Sequence, residues 1–232
     1  MKQEKLPGQI HTDGGPIYFE TDFARSIVEP WNATTASLFI FIALYWFQKL
    51  RKKYSTFIVL TFCTFLLLIG GIGGTLYHAF RNSFFLYMLD VVPIILITVL
   101  ISLFLWEKLG HSRKAVICLT LPFLALDRII HHYLPRTLSA NSFYLILALI
   151  VFFPMIGFLR KTHYIHKKYI LESVLFFIMG IYFRASDFSL STFFPMGTHW
   201  LWHLFSAISC LFLSLYLYKI YHFKLLQENN LG

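Results

Sequence analysis

The sequence predicts an all-α protein, built as a seven-helix bundle in a membrane. Of its 232 residues, 57% are hydrophobic and only 13% carry a formal charge. A soluble domain usually has about twice that share of charged residues. In addition, the chain contains seven separate apolar stretches, and a helix needs about 20 apolar residues to cross a bilayer. We therefore expect an integral, multi-pass membrane protein, and the same composition excludes a disordered chain.

The predicted spans follow the apolar stretches in order, with short connections between them. They run over Thr34–Phe47, Ser55–Phe80, Phe84–Trp106, Lys114–Leu134, Ser142–Leu159, Tyr169–Phe183 and Thr198–Ile220. Residues 33–222 thus form one membrane domain, with an extramembrane segment at 1–32 before it and a cytosolic tail at 223–232 after it.

The net charge of +9 follows from topology and does not indicate a nucleic-acid partner. Thirteen of the 20 Lys and Arg residues lie after the first, third and fifth spans or near the C-terminus, counting Lys114 at the start of span four and Lys219 at the end of span seven. Because cytosolic loops are enriched in Lys and Arg, we place the N-terminus outside or in a lumen and the C-terminus in the cytosol. The basic clusters also favour contact with anionic lipid.

Four ionisable residues inside the predicted spans fall at one depth. At a rise of about 1.5 Å per residue, His78 lies near the outer end of span two and Asp90 lies shortly below the outer end of span three. His199 and His203 lie in the first turns of span seven, which also begins outside. Ionisable side chains are costly in a membrane, so these four residues are candidates for a shared site.

The spacing of His199 and His203 places both imidazoles on one face of a helix, as chelation requires. His78 would complete a three-ligand zinc site with an open position. Zinc lowers the pKa of bound water to about 7, and a carboxylate such as Asp90 can accept the proton. The alternatives are a proton relay or interfacial histidines, and a structural Asp90 beside Pro93.

Three further features accompany this site. Gly70 and Gly74 fit the small-xxx-small pattern, which predicts close helix packing. Three carboxylates in the extramembrane segment suit Ca²⁺, although a solvated acidic loop is the alternative; they are Glu20, Asp22 and Glu29. Residues at the outer ends of spans four and six are expected to form ion pairs or to support the site, with snorkelling as the alternative for the arginines; they are Asp127, Arg128, His131, His132, Arg184 and Asp187.

The three cysteines fall within spans and are expected to be packing residues; they are Cys63, Cys118 and Cys210.

Taken in order, these motifs resemble those of the alkaline ceramidases, within the seven-helix superfamily that includes the adiponectin-type receptors. Gly71–His78 followed by Leu89–Pro93 resembles the family's G-x-G-S-x-x-F-H and L-D-E-L-P stretches, and His199–His203 is similar to its H-x-x-W-H helix. Glu20–Phe23 and Glu29–Asn32 resemble its E-x-N-Y and E-F-W-N segments. Together the motifs cover nearly the whole chain.

The resemblance implies a zinc amidase that cleaves ceramide into a sphingoid base and a fatty acid. It implies zinc ligation by His78, His199 and His203, with Asp90 as the partner of the zinc-bound water. It also implies a calcium site made by Glu20, Asp22, Glu29 and the backbone carbonyl of Tyr18.

The sequence departs from the family at several of these positions. Asp22 replaces an Asn, and the gap between His78 and Asp90 is one residue longer. Gly74 stands where the family has a Ser that is thought to stabilise the oxyanion, and Thr75 is the neighbouring hydroxyl, about 100° further round the helix. Ile17 stands where the family has its first acidic calcium ligand.

Three hypotheses follow from these features. The leading one is a membrane-embedded, zinc-dependent hydrolase of a lipid amide, with a ceramide-like substrate. The second is a non-enzymatic receptor or regulator that keeps zinc for structure. The third is a transporter or proton channel that uses His and Asp as a relay.

Overall fold

The computed structural model describes residues 6–7, 9–133 and 136–229, and there it consists of helices joined by short turns, with no strand. The helices are α1 (Pro30–Ala36), α2 (Leu38–Leu50), α3 (Ile58–Phe80), α4 (Phe84–Leu109), α5 (Arg113–Tyr133), α6 (Arg136–Lys161), α7 (Lys167–Ala185) and α8 (His199–Asn229). The predicted all-α class is confirmed.

Each predicted span falls on a helical segment. The first covers α1 and α2 together, because Ser37 between them keeps a right-handed helical backbone at φ −63° and ψ −17°. Within the described residues, five segments are long and apolar enough to cross a bilayer: Pro30–Leu50, Ile58–Phe80, Phe84–Leu109, Asn141–Lys161 and His199–Tyr221. These five segments agree with a membrane protein.

The other two predicted spans, the fourth and the sixth, fall on α5 and α7. Helix α7 is less apolar because its 19 positions include Lys167, Lys168, Glu172 and Arg184. Helix α5 is described only in part at the level of side chains, and Leu134, the predicted end of span four, lies outside the described residues. The side chains of Asp127, Arg128, His131 and Cys118 also lie outside them.

Glycines let α3 approach both of its neighbours closely, as predicted from the small-xxx-small pattern. A Cβ atom at Gly73 would lie 2.5 Å from Cβ of Leu89 in α4, and one at Gly71 would lie 2.8 Å from the backbone nitrogen of Ile40 in α2. The glycine stretch therefore packs α3 between α2 and α4.

The main apolar core lies at the end of the helices away from the three histidines. Its buried members come from α3, α4, α6, α7 and α8: Cys63, Ile101, Phe104, Leu105, Met155, Phe158, Ile170, Tyr216, Leu217 and Ile220. Cys63 and Cys210 are both free thiols. Polar bridges add to the packing, since Trp46 Nε1 donates to Ser214 Oγ at 2.8 Å and Ser173 pairs with Ser209 at 3.0 Å.

The segment before α1 covers the end of α3. The last carbonyls of a helix lack partners within it. Here the backbone N–H of Val28 donates to the carbonyl of Ala79 at 2.9 Å, and that of Glu29 donates to the carbonyl of His78 at 3.1 Å. The extramembrane segment is thus tied to the helix turn that carries His78.

Candidate metal site

His78 of α3 and two histidines of α8, His199 and His203, meet at one end of the bundle. One ring nitrogen from each lies within 4.8 Å of the others. The three residues are only 0%, 2% and 5% exposed, respectively. Helix α3 contacts α8 directly, so residues more than 120 positions apart come together. The predicted grouping of the three histidines is confirmed.

Two of these histidines have ring nitrogens that no protein group satisfies. Nε2 of His78 and Nε2 of His203 are buried and receive no hydrogen bond from the part of the chain that the structure describes. Leaving such an atom unpaired costs about 1–3 kcal/mol. Neutral imidazole nitrogens in a group of three are typical zinc ligands, so this donor set fits a zinc ion.

Glu29 holds His78 from its other side. Nδ1 of His78 lies 2.5 Å from Oε2 of Glu29, and both side chains are completely buried. Burial raises the pKa of the Glu29 carboxyl, but the hydrogen bond and charge of His78 and the charge of Arg81 lower it by more. An ionised Glu29 therefore keeps the proton of His78 on Nδ1 and leaves Nε2 free as a ligand.

Asp187 positions the start of α8. Its Oδ1 accepts the backbone N–H groups of Thr198 at 2.7 Å and His199 at 2.9 Å. Its Oδ2 accepts the N–H of Phe19 at 2.8 Å. Because the first N–H groups of a helix have no partner within it, Asp187 caps α8 and fixes the turn that carries His199. Asp187 thus supports the site, as predicted, through backbone groups.

Aromatic side chains close the site around His199. The ring of Tyr18 stacks on His199 with centroids 3.6 Å apart. Nη1 of Arg184 lies 3.4 Å from Nδ1 of His199, and its guanidinium lies 4.6 Å from the ring centroid of Tyr144 and 5.5 Å from that of Trp202. Burial raises the pKa of the Tyr18 hydroxyl, so it is uncharged.

The carboxylates expected to bind calcium already have partners within the protein. Glu20 accepts the backbone N–H groups of Trp31 at 2.6 Å and Asn32 at 2.9 Å, at the start of α1. Asp22 pairs with Arg25 at 3.2 Å. The Tyr18 carbonyl accepts the N–H of Thr21 at 3.1 Å. In the described part of the chain, the histidine triad is the one group of three His, Cys, Asp or Glu residues with converging ligand atoms, and the calcium site stays a prediction.

Asp90 lies beside the turn that precedes His78. A Cβ atom at Gly74 would lie 2.5 Å from Oδ1 of Asp90. Gly74 lies one helical turn before His78, so the Asp90 carboxylate lies next to the part of α3 that carries this histidine. The hydroxyl of Thr75 is already engaged within α3, because it donates to the backbone carbonyl of Gly71 at 2.7 Å.

Sequence reasoning missed two residues of this end of the molecule, Asp13 and Arg81. Both are buried, and Nε of Arg81 donates to Oδ2 of Asp13 at 2.8 Å. No periodic pattern marks either residue, and 68 positions separate them. The one available signal in the sequence is that Arg81 follows the predicted ligand His78 by three residues. His132, in contrast, is exposed and contacts only Tyr133 among its described neighbours.

The chain was compared with protein-family models, with curated proteins and with solved structures, and none of them matches it.

Proposed function

We propose that this protein is a seven-helix, membrane-embedded, zinc-dependent hydrolase of a lipid amide. The substrate would be ceramide-like, and the products would be a sphingoid base and a fatty acid. The observation that carries the proposal is the buried group of His78, His199 and His203, with the Asp90 carboxylate beside it. The reaction class comes from the resemblance of the motifs around these residues to the alkaline ceramidases.

Seven spans would include α5 and α7, with the N-terminus outside or in a lumen. The exposed face of α7 supports its assignment as a span. Leu171, Leu175, Ile178 and Tyr182 are 64%, 55%, 60% and 57% exposed. Their spacing places them on one side of the helix. An outward apolar stripe of this kind is expected where lipid replaces water.

The three histidines would hold the metal, and Glu29 and Asp187 would fix their orientation. Zinc bound here would supply a polarised substrate carbonyl and water of lowered pKa. Asp90 would accept the proton of the attacking water and pass it to the departing amine. Gly74 supports this role, because its lack of a side chain leaves space for the Asp90 carboxylate next to α3.

A second candidate function is a lipid receptor or regulator in which zinc is structural. One observation favours it. The position of the family's Ser has no hydroxyl in this chain, and the neighbouring Thr75 already donates its proton to Gly71. The group that would stabilise an oxyanion therefore has no equivalent at this turn of α3.

The deciding experiment measures metal and turnover on the same protein. Purified wild-type protein, His78→Ala and His199→Ala would be analysed for zinc per chain, and for release of fatty acid from ceramides by mass spectrometry. His132→Ala is the matched control, because His132 is exposed on another helix. We expect about one zinc per chain in the wild type and the control, and neither zinc nor turnover in the two triad variants.

Different outcomes separate the candidates. Absence of zinc from the wild type, or equal hydrolysis in all four proteins, would overturn the hydrolase. Zinc without turnover of any ceramide, unaffected by Asp90→Asn, would favour the receptor.

A further inference from the structure

Arg81 is a buried charge immediately beyond the end of α3. It is 1% exposed, which is rare for an arginine. Its backbone is left-handed, at φ 49° and ψ 36°, a conformation that a non-glycine residue adopts only at a cost. Both features are unfavourable in isolation, so the contacts of the guanidinium must stabilise this arrangement.

The guanidinium binds two carboxylates at once. Nε donates to Oδ2 of Asp13 at 2.8 Å, and Nη2 donates to Oδ1 of the same residue at 3.3 Å. Nη1 donates to Oε1 of Glu29 through a short hydrogen bond. Nη2 also lies 3.5 Å from the Gly15 carbonyl. These contacts involve all three nitrogens, and they tie the extramembrane segment to the end of α3.

Glu29 links Arg81 to His78 of the proposed metal site. Its Oε1 accepts from Arg81 and from the hydroxyl of Thr21, and its Oε2 contacts Nδ1 of His78 and accepts from the amide of Asn32 at 3.3 Å. A carboxylate offers about four acceptor positions, so these partners use all of them. Arg81 and His78 thus hold opposite oxygens of one buried carboxylate.

One buried cation, Arg81, lies against both carboxylates of this group. Burial lowers the pKa of Arg81, but the charge of Glu29 and the hydrogen bond to Asp13 raise it by more, so the guanidinium stays charged. Asp13 is 3% exposed and Glu29 is 0% exposed. Two buried carboxylates need positive charge nearby. Here the Arg81 guanidinium supplies that charge to both carboxylates, and the His78 N–H adds a hydrogen bond to Glu29.

We propose that Arg81 is a positioning residue that acts as a covalently attached cation, fixing Glu29 and through it His78. Its guanidinium supplies the positive charge that the expected calcium ion would supply beside the metal site. Zinc binding by this chain is accordingly independent of calcium. The inference rests on the proposed zinc site. It adds that Arg81 holds Glu29, the carboxylate that contacts the zinc ligand His78, in place.

The test measures zinc affinity by competition with a chromophoric zinc chelator, in calcium-depleted buffer with and without added calcium. Arg81→Gly removes the guanidinium, and glycine relieves the left-handed backbone. Arg25→Gly is the matched control, since Arg25 is exposed and pairs with Asp22. We expect wild-type zinc affinity to be the same with and without calcium, Arg81→Gly to lose about 10–100-fold in zinc affinity, and Arg25→Gly to match the wild type.

A further readout separates positioning from a merely structural role. Millimolar guanidinium ion, or calcium, should restore zinc affinity to Arg81→Gly, because either cation can enter the space between Asp13 and Glu29. If Arg81→Gly does not fold, Asp13→Asn keeps the side-chain shape and weakens the same ion pair, and we expect a smaller loss of zinc affinity.

Three results would overturn the inference. The first is a zinc affinity in the Arg81 or Asp13 variant equal to that of the wild type. The second is a wild-type zinc affinity that falls in calcium-depleted buffer and returns with calcium. The third is an Arg81→Gly protein that no cation rescues. A wild-type protein without any zinc would instead remove the proposed function, and this inference with it.

Discussion

Oε2 of Glu29 lies 2.5 Å from Nδ1 of His78, and neither side chain is exposed. The two residues come from different parts of the chain, one from the extramembrane segment and one from α3. A carboxylate on the distal nitrogen of a histidine fixes its tautomer and its ring orientation. The segment before α1 therefore contacts the histidine triad directly, and this relationship leads to the first prediction.

Glu29→Gln should weaken zinc binding while the protein still folds. The substitution keeps the side-chain shape but removes the negative charge that His78 and Arg81 share. Loss of such a partner typically costs about 10–100-fold in metal affinity, measured by chelator competition. Asp22→Asn is the control, because Asp22 pairs only with Arg25 among its described neighbours. Equal affinities for Glu29→Gln and the wild type would contradict this role of Glu29.

Asp90→Asn should separate metal binding from turnover. Asp90 lies beside the triad and is not one of its three converging ligands, so the zinc content should stay at the wild-type level. Loss of a general base typically lowers the rate by about 10²–10⁴-fold, measured as fatty acid released from ceramide. Glu107→Gln, near the other end of α4, serves as the control. Full activity in Asp90→Asn would exclude the proposed proton transfer.

Gly73→Ala should destabilise the packing of α3 on α4. The new Cβ would lie 2.7 Å from the backbone carbon of Leu89 and 2.8 Å from its oxygen, and backbone atoms cannot move aside easily. Overpacking of this kind typically costs about 1–3 kcal/mol. Thermal unfolding in detergent measures the effect. Gly70→Ala should cost less, since its nearest contact, Cβ of Pro93, would be 3.2 Å away; a larger shift for Gly70→Ala would show that the close approach lies elsewhere.

Asp187→Ala should loosen the start of α8. It removes the acceptor of the Thr198, His199 and Phe19 N–H groups, and loss of a helix cap typically costs about 0.5–2 kcal/mol. Thermal unfolding of the zinc-free protein measures that cost, and zinc affinity should fall as well because His199 loses its fixed backbone. Ser189→Ala is the control, since Ser189 is exposed and bonds only to its own turn. If stability is unchanged in Asp187→Ala, the cap does not contribute.

The fold class and the triad could be predicted because both depend on local periodicity. A helix has a fixed rise and a fixed angle per residue, so His199 and His203 share a face wherever α8 lies. The alternation of spans then assigns His78 and Asp90 to the same depth. The structure agrees for the triad, and the carboxylate of Asp90 lies beside Gly74.

The roles of the carboxylates were not predictable in this way. Glu20, Asp22 and Glu29 occur within ten positions and form one acidic group in the sequence. In the folded chain Asp22 pairs with Arg25, whereas Glu20 and Glu29 both accept hydrogen bonds from Asn32. Glu20 accepts N–H groups at the start of α1, whereas Glu29 holds a histidine. Loop residues follow no repeat, so their neighbours depend on how the segment folds over the helix ends.

The sequence by itself determined the helical class, the apolar segments and the shared helical face of His199 and His203, because hydrophobicity and helix geometry act over a few neighbouring residues. Only the tertiary structure decided that Asp13, Arg81 and Glu29 form one buried group behind His78. The charge of Arg81 is stable there because two carboxylates, distant in sequence, surround it after the water has been excluded. That compensation depends on packing, and no local pattern encodes it.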